Sequence, residues 1–324
     1  MGEPSADRYL LLEDGTLTLA VEEQCLRLIG AWLPIGARRS EHGGRAPASI
    51  AVLSGADVVQ SHSPDSPPTL RIGSVRAWLD HEANHAMLAG ANGAGGEIDL
   101  AGHRARLELP PSAGDAAAAD LQPMLTIAAA LLLGRIGRIL LHAGAVVSGD
   151  GRAWLVVGDA HSGKSTTCIS LALSGWDLLS DDQVVLQGPG SGVPRAEGWL
   201  RPLHLDEGWE LRTPRGTRRT VVPASLGLRA VSGPIEVAGT LHTSVEAGQP
   251  TTASMTSATE AFIGLVRQSP WLLADRTAAP AIVERLSALA RLPSVAISLG
   301  RDTFGRPDAL RAVVEDSLIR NGIA

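Results

Sequence analysis

The chain has 324 residues, 44% of them hydrophobic and 19% charged, a composition typical of a globular protein with two domains rather than of a disordered chain. The net charge is −6, which disfavours nucleic acid and anionic lipid as partners because both are bound by basic surfaces. Neither a zinc framework nor a disulfide framework is indicated, because the two cysteines, Cys25 and Cys168, lie far apart.

The sequence shows no signal for targeting and no segment that would span a membrane. The first residues lack a basic segment followed by an apolar one, so no signal peptide is predicted. The longest apolar run, 127–133, is far shorter than a membrane span. Together with two lone thiols, this pattern predicts a soluble, cytoplasmic protein.

The N-terminal third has the pattern of short β-strands. Residues 8–30 alternate apolar and polar side chains around Asp14–Gly15, which predicts a hairpin or meander. Residues 95–110 show the same alternation and predict a second hairpin. We therefore expect a β-rich domain over 1–115, which would bind substrate or a partner, followed by a Pro- and Ala-rich linker at 110–120.

Strands and helices alternate after the linker. Residues 121–134 predict a helix of about 14 residues, ended by Gly134. The elements predicted from there to residue 187 are a strand in 138–147, a strand in 153–157, a helix in 164–175 and a strand in 177–186. This order predicts an α/β domain over 120–324 with a parallel or mixed sheet.

The pattern is looser beyond residue 187. The elements predicted there are a loop at 189–198, a strand at 235–245, a helix at 279–292, a strand at 294–300 and a closing helix at 307–321. An exposed basic loop containing Arg212, Arg215, Arg218 and Arg219 is expected to be solvated, or alternatively to form a flap that grips an acidic substrate.

A phosphate-binding loop lies between the predicted strand at 153–157 and the helix at 164–175. Its sequence fits G-x-x-x-x-G-K-[ST], and its nine nucleotide-binding candidates are Gly158, Asp159, Ala160, His161, Ser162, Gly163, Lys164, Ser165 and Thr166. Backbone N–H groups in such a loop form an anion nest, and the helix directs its positive end at the same point. Lys164 would neutralise phosphate oxygens and Ser165 would bind Mg²⁺, whereas His161 is expected mainly to space the backbone.

Lys164 is also the single lysine of a chain that contains 28 basic residues, so the other 27 are arginine. A compact ammonium fits between phosphate oxygens where a guanidinium fork does not. The retention of one lysine at this position therefore supports a phosphate-binding role.

Asp181 and Asp182 follow the strand after the phosphate-loop helix. Strand ends of this kind form the ligand crevice of α/β sheets, so these carboxylates are expected beside the phosphate loop. One would hold Mg²⁺ and the other would take a proton from an attacking hydroxyl, unless the pair only caps a turn. His142, at the end of the preceding apolar strand, is by itself more typical of a core residue.

Taken together, LLHAGAVV, GDAHSGKSTT and SGWDLLSDD resemble the HPr kinase/phosphorylase family, over roughly residues 138–186. The resemblance implies a P-loop kinase domain of the HPr kinase and phosphoenolpyruvate carboxykinase type with a smaller β-rich N-terminal domain. It implies that Lys164 and Ser165 bind ATP and Mg²⁺, that Asp181 is the base for an acceptor serine and that Asp182 is a metal-side partner. His142 matches the family histidine near the phosphates and is therefore a catalytic candidate.

The parts that depart from the family change the expected acceptor. Glu197 and Arg201 are the nearest counterparts of the family's Glu-x-Arg-Gly signature, and the N-terminal region differs from its regulatory domain. The chain is thus more similar to stand-alone relatives such as lasso-peptide precursor kinases, which implies phosphorylation of a serine on a peptide or small protein. Many relatives form homo-oligomers, so assembly is an open expectation.

Three other functions are weighed against this kinase. An NTP-dependent switch or assembly factor would share the phosphate loop but phosphorylate no acceptor, and a small-molecule kinase would differ only in its acceptor. The segment from His81 to His85 is a literal H-E-x-x-H, which in a zinc peptidase lies on one face of a helix. The sequence here could form about three helical turns but offers no third ligand at the required spacing.

Overall fold

The computed structural model describes most of the chain. The described residues are 6–30, 32–40, 46–55, 66–110, 115–187, 192–206, 218–246 and 248–323. Two compact units are formed, and each is made of two stretches of chain. The first is Met1–Leu140 with Pro270–Ile282, and the second is Leu141–Ser269 with Val283–Ala324.

The first unit is built on a nine-stranded sheet in which short alternating segments pair along the chain. Its strands are β1 (Ala6–Leu10), β2 (Leu17–Glu22), β3 (Arg38–Arg39), β4 (Ala48–Ser54), β5 (Leu70–Ile72), β6 (Val75–Asp80), β7 (His85–Gly90), β8 (Gly95–Asp99) and β9 (Arg104–Leu109). Their order in the sheet is β3-β1-β2-β4-β9-β8-β7-β6-β5. The hairpins β1–β2 and β8–β9 confirm the two predicted from sequence.

Helices cover one face of this sheet. α1 (Leu26–Ile29) packs on α2 (Asp115–Arg135), and α2 lies against β4, β7 and β9. From Leu121 to Leu133 almost every apolar side chain of α2 is buried, because the helix is apolar nearly all round. None of the described helices has both the length and the apolarity needed to cross a bilayer.

The two units have different boundaries from the predicted domains, 1–115 and 120–324. α2 belongs to the first unit, and so does the segment that includes the short 3₁₀ helix Pro270–Leu273. A buried ion pair fixes that segment: Arg135 Nε donates to Asp275 Oδ2 at 2.6 Å, and Nη2 donates to Oδ1 at 3.0 Å. The N-terminal part was expected to be the smaller one, and the first unit is slightly smaller than the second, although both large sheets have nine strands.

The second unit is a mixed α/β layer structure, which confirms the predicted fold class at this coarse level. Its strands, together with the boundary strand β10 (Ile139–Leu141), are β11 (Gly144–Val147), β12 (Ala153–Val157), β13 (Asp177–Ser180), β14 (Val184–Gln187), β15 (Arg195–Gly198), β16 (Leu203–Asp206), β17 (Arg218–Val221), β18 (Ile235–Val245), β19 (Thr252–Met255) and β20 (Ser294–Leu299). Its helices, with α5 shared between the units, are α3 (Lys164–Leu173), α4 (Ala258–Arg267), α5 (Ala279–Ala290) and α6 (Pro307–Arg320). α3 and α6 pack together over a core that includes Trp154, Trp176 and Leu178.

Strand direction brings several chain ends to one edge of the second sheet. Within this unit the order is β14-β15-β18-β12-β11-β13, with β18 parallel to β12 and to β20. β11 runs antiparallel to both β12 and β13, with Gly144 opposite Val156 and Ala145 opposite Ser180. The start of β11 and the ends of β12, β13 and β18 therefore lie at the same edge, which we call the carboxyl edge.

The structure corrects several element predictions. The strand predicted in 138–147 is interrupted at His142, and the one predicted in 177–186 is two strands separated by Asp181 and Asp182. The loop predicted at 189–198 contains β15, because that segment pairs with β14 and β18. His81 and His85 lie on the turn and strand of the β6–β7 hairpin rather than on a helix.

Candidate active site

The segment predicted to bind phosphate, 158–163, connects β12 to α3, and we call it the phosphate loop. His161 and Gly163 have φ values of +63° and +93°, the left-handed region that glycine favours and that histidine rarely adopts. An added Cβ at Gly158 would lie 2.3 Å from Ser162 Oγ and 2.6 Å from the Thr243 carbonyl oxygen, so only glycine fits there. The loop is thus tightly curled, and its curvature depends on residues of the motif.

The loop is also held from β18. The hydroxyls of Ser162 and Thr243 lie 3.1 Å apart, and Thr243 Oγ1 donates to the carbonyl of Val157 at 3.3 Å. Thr243 is opposite the end of β12 because β18 runs parallel to it, with His242 in register with Val157. No local sequence signal identifies Thr243, which lies about eighty positions from the loop it supports.

Lys164 begins α3, and its side chain is buried against the loop. Nζ donates to the carbonyls of Gly158 at 2.7 Å and Asp159 at 3.1 Å. Burial lowers the pKa of Lys164, and the nearby charges of Asp182, Cys168 and Asp159 act in the opposite direction. A partly desolvated ammonium with rotatable donors is therefore placed at the mouth of the anion nest.

Ser165 and Thr166 occupy the first turn of α3 and are half-buried. The Ser165 hydroxyl makes no hydrogen bond to any residue that the structure describes. The backbone N–H groups of a helix's first turn also have no partner within the helix. This end of α3 can therefore accept anionic oxygens and a metal ligated by the hydroxyl.

The aspartate pair occupies the tight turn between β13 and β14. Ser180 Oγ accepts hydrogen bonds from the N–H groups of Asp182 and Gln183, at 3.5 and 3.3 Å. Gly144 lies against the same turn, because an added Cβ there would be 3.2 Å from the carbonyl oxygen of Asp181. The turn capping that the sequence left as an alternative is thus done by Ser180, which leaves the two carboxylates for other contacts.

Asp182 is anchored by two cationic or hydrogen-bonding side chains. His142 Nε2 lies 3.1 Å from Asp182 Oδ1, and Arg201 Nη2 pairs with Oδ2. Burial acts to raise the pKa of Asp182, but the hydrogen bond from His142 and the charges of Arg201, His142 and Lys164 outweigh it and lower the pKa to about 2. Asp182 is therefore ionised near neutral pH and lies at the carboxyl edge.

The pKa of Asp181 is shifted in the opposite direction to that of Asp182. Burial, with the neighbouring charge of Asp182, raises the pKa of Asp181 to about 7, although Arg201 partly offsets the rise. Its side chain forms no hydrogen bond or ion pair with other described side chains. Asp181 is thus a buried carboxyl group whose pKa lies in the range suited to a general base.

The oxygen atoms at this edge fit a magnesium ion bound together with phosphate. Mg²⁺ is usually held by one or two carboxylates, phosphates and water rather than by a cage of protein ligands. The described residues contain no cluster of three or more His, Cys, Asp or Glu able to hold a metal alone. Ionised Asp182 keeps free lone pairs beside its two partners, and Ser165 has an unengaged hydroxyl.

The two weaker candidates from the sequence, Glu197 and Arg201, lie in different surroundings. Arg201 reaches the site through Asp182, whereas buried Glu197 accepts a hydrogen bond from Gln187 Nε2 at 2.5 Å on the neighbouring strand. In the basic loop, Arg212 and Arg215 lie outside the described residues, so the predicted flap stays a prediction. The backbone N–H of His142 donates to the carbonyl of Gln268 at 3.1 Å, which holds His142 in position.

Comparison with solved structures finds distant likenesses, of which one is described here. The chain is similar in structure to the Hpr(Ser) kinase/phosphatase from Coxiella burnetii. The TM-score is 0.33 and the identity 16%, over 56% of this chain and 92% of that one. No family model and no curated protein matches the chain. A likeness at this level assigns no family, and the functional proposal below depends on the site itself.

Gly144→Ala is expected to destabilise the protein by about 1–3 kcal/mol, as overpacking of a close-packed region does. The added Cβ would lie 2.3 Å from Cys168 Sγ and 3.2 Å from the Asp181 carbonyl oxygen. Urea denaturation gives the free energy of unfolding of Gly144→Ala, of Cys168→Ala and of the double variant. The difference between the double variant and the sum of the single ones measures the coupling of the two positions. Removal of the sulfur should recover part of the loss, and strictly additive effects would contradict this packing.

Proposed function

We propose that the chain is an ATP- and Mg²⁺-dependent kinase that transfers the γ-phosphoryl group to a serine hydroxyl of a peptide or small protein. One observation carries the proposal: of two adjacent carboxylates beside the phosphate loop, Asp181 is buried and Asp182 is paired with His142 and Arg201. This arrangement raises the pKa of the first to about 7 and lowers that of the second to about 2. Paired groups whose environments separate their pKa values in this way take different roles in acid–base catalysis. Asp181 is the proton acceptor and Asp182 the fixed charge.

In the proposed reaction, Asp181 removes the proton from the acceptor hydroxyl as the oxygen attacks the γ-phosphorus. A new O–P bond forms, the bond from the γ-phosphorus to the β–γ bridging oxygen breaks, and ADP leaves with that electron pair. Lys164 stabilises the charge on the transferred group by binding its oxygens. His142 and Arg201 keep Asp182 ionised and oriented, which identifies them as positioning residues.

Mg²⁺ would be held by Ser165, Asp182 and nucleotide oxygens, and it would neutralise part of the phosphate charge. The fit rests on the free hydroxyl of Ser165 and the low pKa of Asp182. The peptide acceptor is proposed from the motifs shared with the stand-alone kinases of the HPr kinase family, lasso-peptide precursors being one candidate class. The first unit is the proposed binding surface for that acceptor.

The test is incubation of the purified full chain with MgATP and a panel of serine-containing peptides, followed by mass spectrometry. We expect a gain of one phosphoryl group in a peptide, abolished in Lys164→Met and Asp181→Asn. Asp316→Asn makes the same chemical change on the exposed surface of α6 and should retain activity. ATP consumption with no phosphorylated peptide would instead support a nucleotide switch, and phosphorylation of small alcohols alone would support a small-molecule kinase.

A further inference from the structure

The C-terminal end of α4 is fixed at the carboxyl edge. α4 runs from Ala258 to Arg267, and the next residue, Gln268, accepts the N–H of His142 through its carbonyl at 3.1 Å. His142 in turn contacts Asp182. The last turn of α4 is therefore held beside the residues that the proposed reaction uses, although the sequence offers no motif there.

Arg267, in that last turn, extends to the phosphate loop. Its Nη1 lies 3.8 Å from Asp159 Oδ2, and the Asp159 carbonyl is one of the two that accept Lys164 Nζ. Both side chains are largely exposed, at 65% for Arg267 and 70% for Asp159. A second cation is thus placed at the same loop as the lysine, on a long side chain free to reorient.

The Arg267–Asp159 contact is of a kind that phosphate can replace. Exposed ion pairs at this separation contribute little and are screened by salt. A bound triphosphate offers several negative oxygens, and a planar guanidinium binds two of them at once in a geometry that one carboxylate at 3.8 Å does not provide.

We infer that Arg267 leaves Asp159 when nucleotide binds and contacts the terminal phosphate. This inference rests on the proposed nucleotide site and adds a phosphate-binding residue to it. A purely structural role would be different: an arginine at a helix C-terminus interacts favourably with the helix dipole. That role predicts the same nucleotide affinity with or without the arginine, so nucleotide binding separates the two.

The experiment is calorimetric titration of the full chain, with Mg²⁺, with ADP and with the non-hydrolysable imido analogue of ATP. For Arg267→Gln we expect the Kd of the ATP analogue to rise at least tenfold and the Kd of ADP to change less than twofold. Arg267→Lys should fall between, because it keeps the charge but not the bidentate geometry. Arg291→Gln, at another exposed arginine, is the matched control and should bind both nucleotides like the wild type.

Each outcome decides the inference. Equal loss for ADP and the ATP analogue, or no loss for either, would overturn it, and so would a wild-type chain that binds neither nucleotide. A wild-type chain that binds both nucleotides but phosphorylates no acceptor would overturn the kinase proposal alone. The Arg267 result would then still stand as a property of the nucleotide site.

Discussion

Lys164→Met is expected to lower the rate of phosphoryl transfer by about 10³-fold, the scale of loss when one preorganised stabiliser of transition-state charge is removed. The side chain is buried, and its Nζ already lies between the carbonyls of Gly158 and Asp159. Lys164→Arg should recover little, since the larger guanidinium cannot occupy the space of an ammonium inside the curled loop. Steady-state kinetics with a phosphorylated peptide as product measures both variants.

The control for Lys164 is Arg152→Met, which removes a cation just before the start of β12, the end of that strand far from the phosphate loop. Arg152 pairs with Asp150 in a solvent-exposed turn before β12, so its loss should leave transfer unchanged. Thermal unfolding of each variant shows whether the fold is retained. A Lys164→Arg variant with near wild-type turnover would contradict the need for a compact cation.

The strand, loop and helix around Lys164 could be predicted because their signal is local. A buried apolar run, glycines at fixed offsets and an amphipathic segment that ends at Gly175 specify β12, the loop and α3 without distant contacts. Gly175 has a φ of +104°, which terminates the helix where the sequence indicated. The convergence of Asp181 and Asp182 on this loop also followed from sequence, since ends of like-directed strands meet at one edge.

The remaining contacts depend on strand order, which the sequence does not encode locally. His142 reaches Asp182 because β11 runs antiparallel between β12 and β13, a pairing that periodicity alone cannot distinguish from a parallel one. Arg201 follows a segment predicted to be loop that pairs as β15, and Thr243 comes from β18. Burial and the charge of Asp182 raise the pKa of Asp181, whereas the contacts with His142 and Arg201 outweigh burial and lower the pKa of Asp182. The motif therefore suggested the residues, and tertiary packing determined their protonation.

Asp181→Asn is expected to have two effects of opposite kind, lower activity and higher stability above neutral pH. Loss of a general base costs about 10²- to 10⁴-fold in rate. In the wild type, kcat/KM should rise about tenfold per pH unit up to roughly pH 7, where Asp181 ionises, and then level off. Asp182, with a pKa of about 2, stays ionised throughout and contributes no step to this profile.

The stability effect follows from the raised pKa of Asp181. Its pKa is about 7 in the folded protein and 3.8 as the unperturbed value, so ionisation opposes folding progressively from pH 3.8 to 7 and fully above 7. A shift of about three units corresponds to the order of 4 kcal/mol, which asparagine removes because it has no charge to bury. Thermal unfolding should therefore show Asp181→Asn more stable than wild type at pH 8 and nearly equal to it at pH 4.

Asp182→Asn is the matched comparison, one residue away, and should change stability in the other direction. The pKa of Asp182 is lowered to about 2, so its ionised form stabilises the fold above pH 3.8 and loses that contribution as pH falls towards 2. Removing the charge leaves Arg201 without its carboxylate partner, and Asp182→Asn should be less stable than wild type at pH 8. If Asp181→Asn and Asp182→Asn changed the stability in the same direction at pH 8, the environments of the two aspartates would be alike. The assignment of Asp181 as the base would then fail.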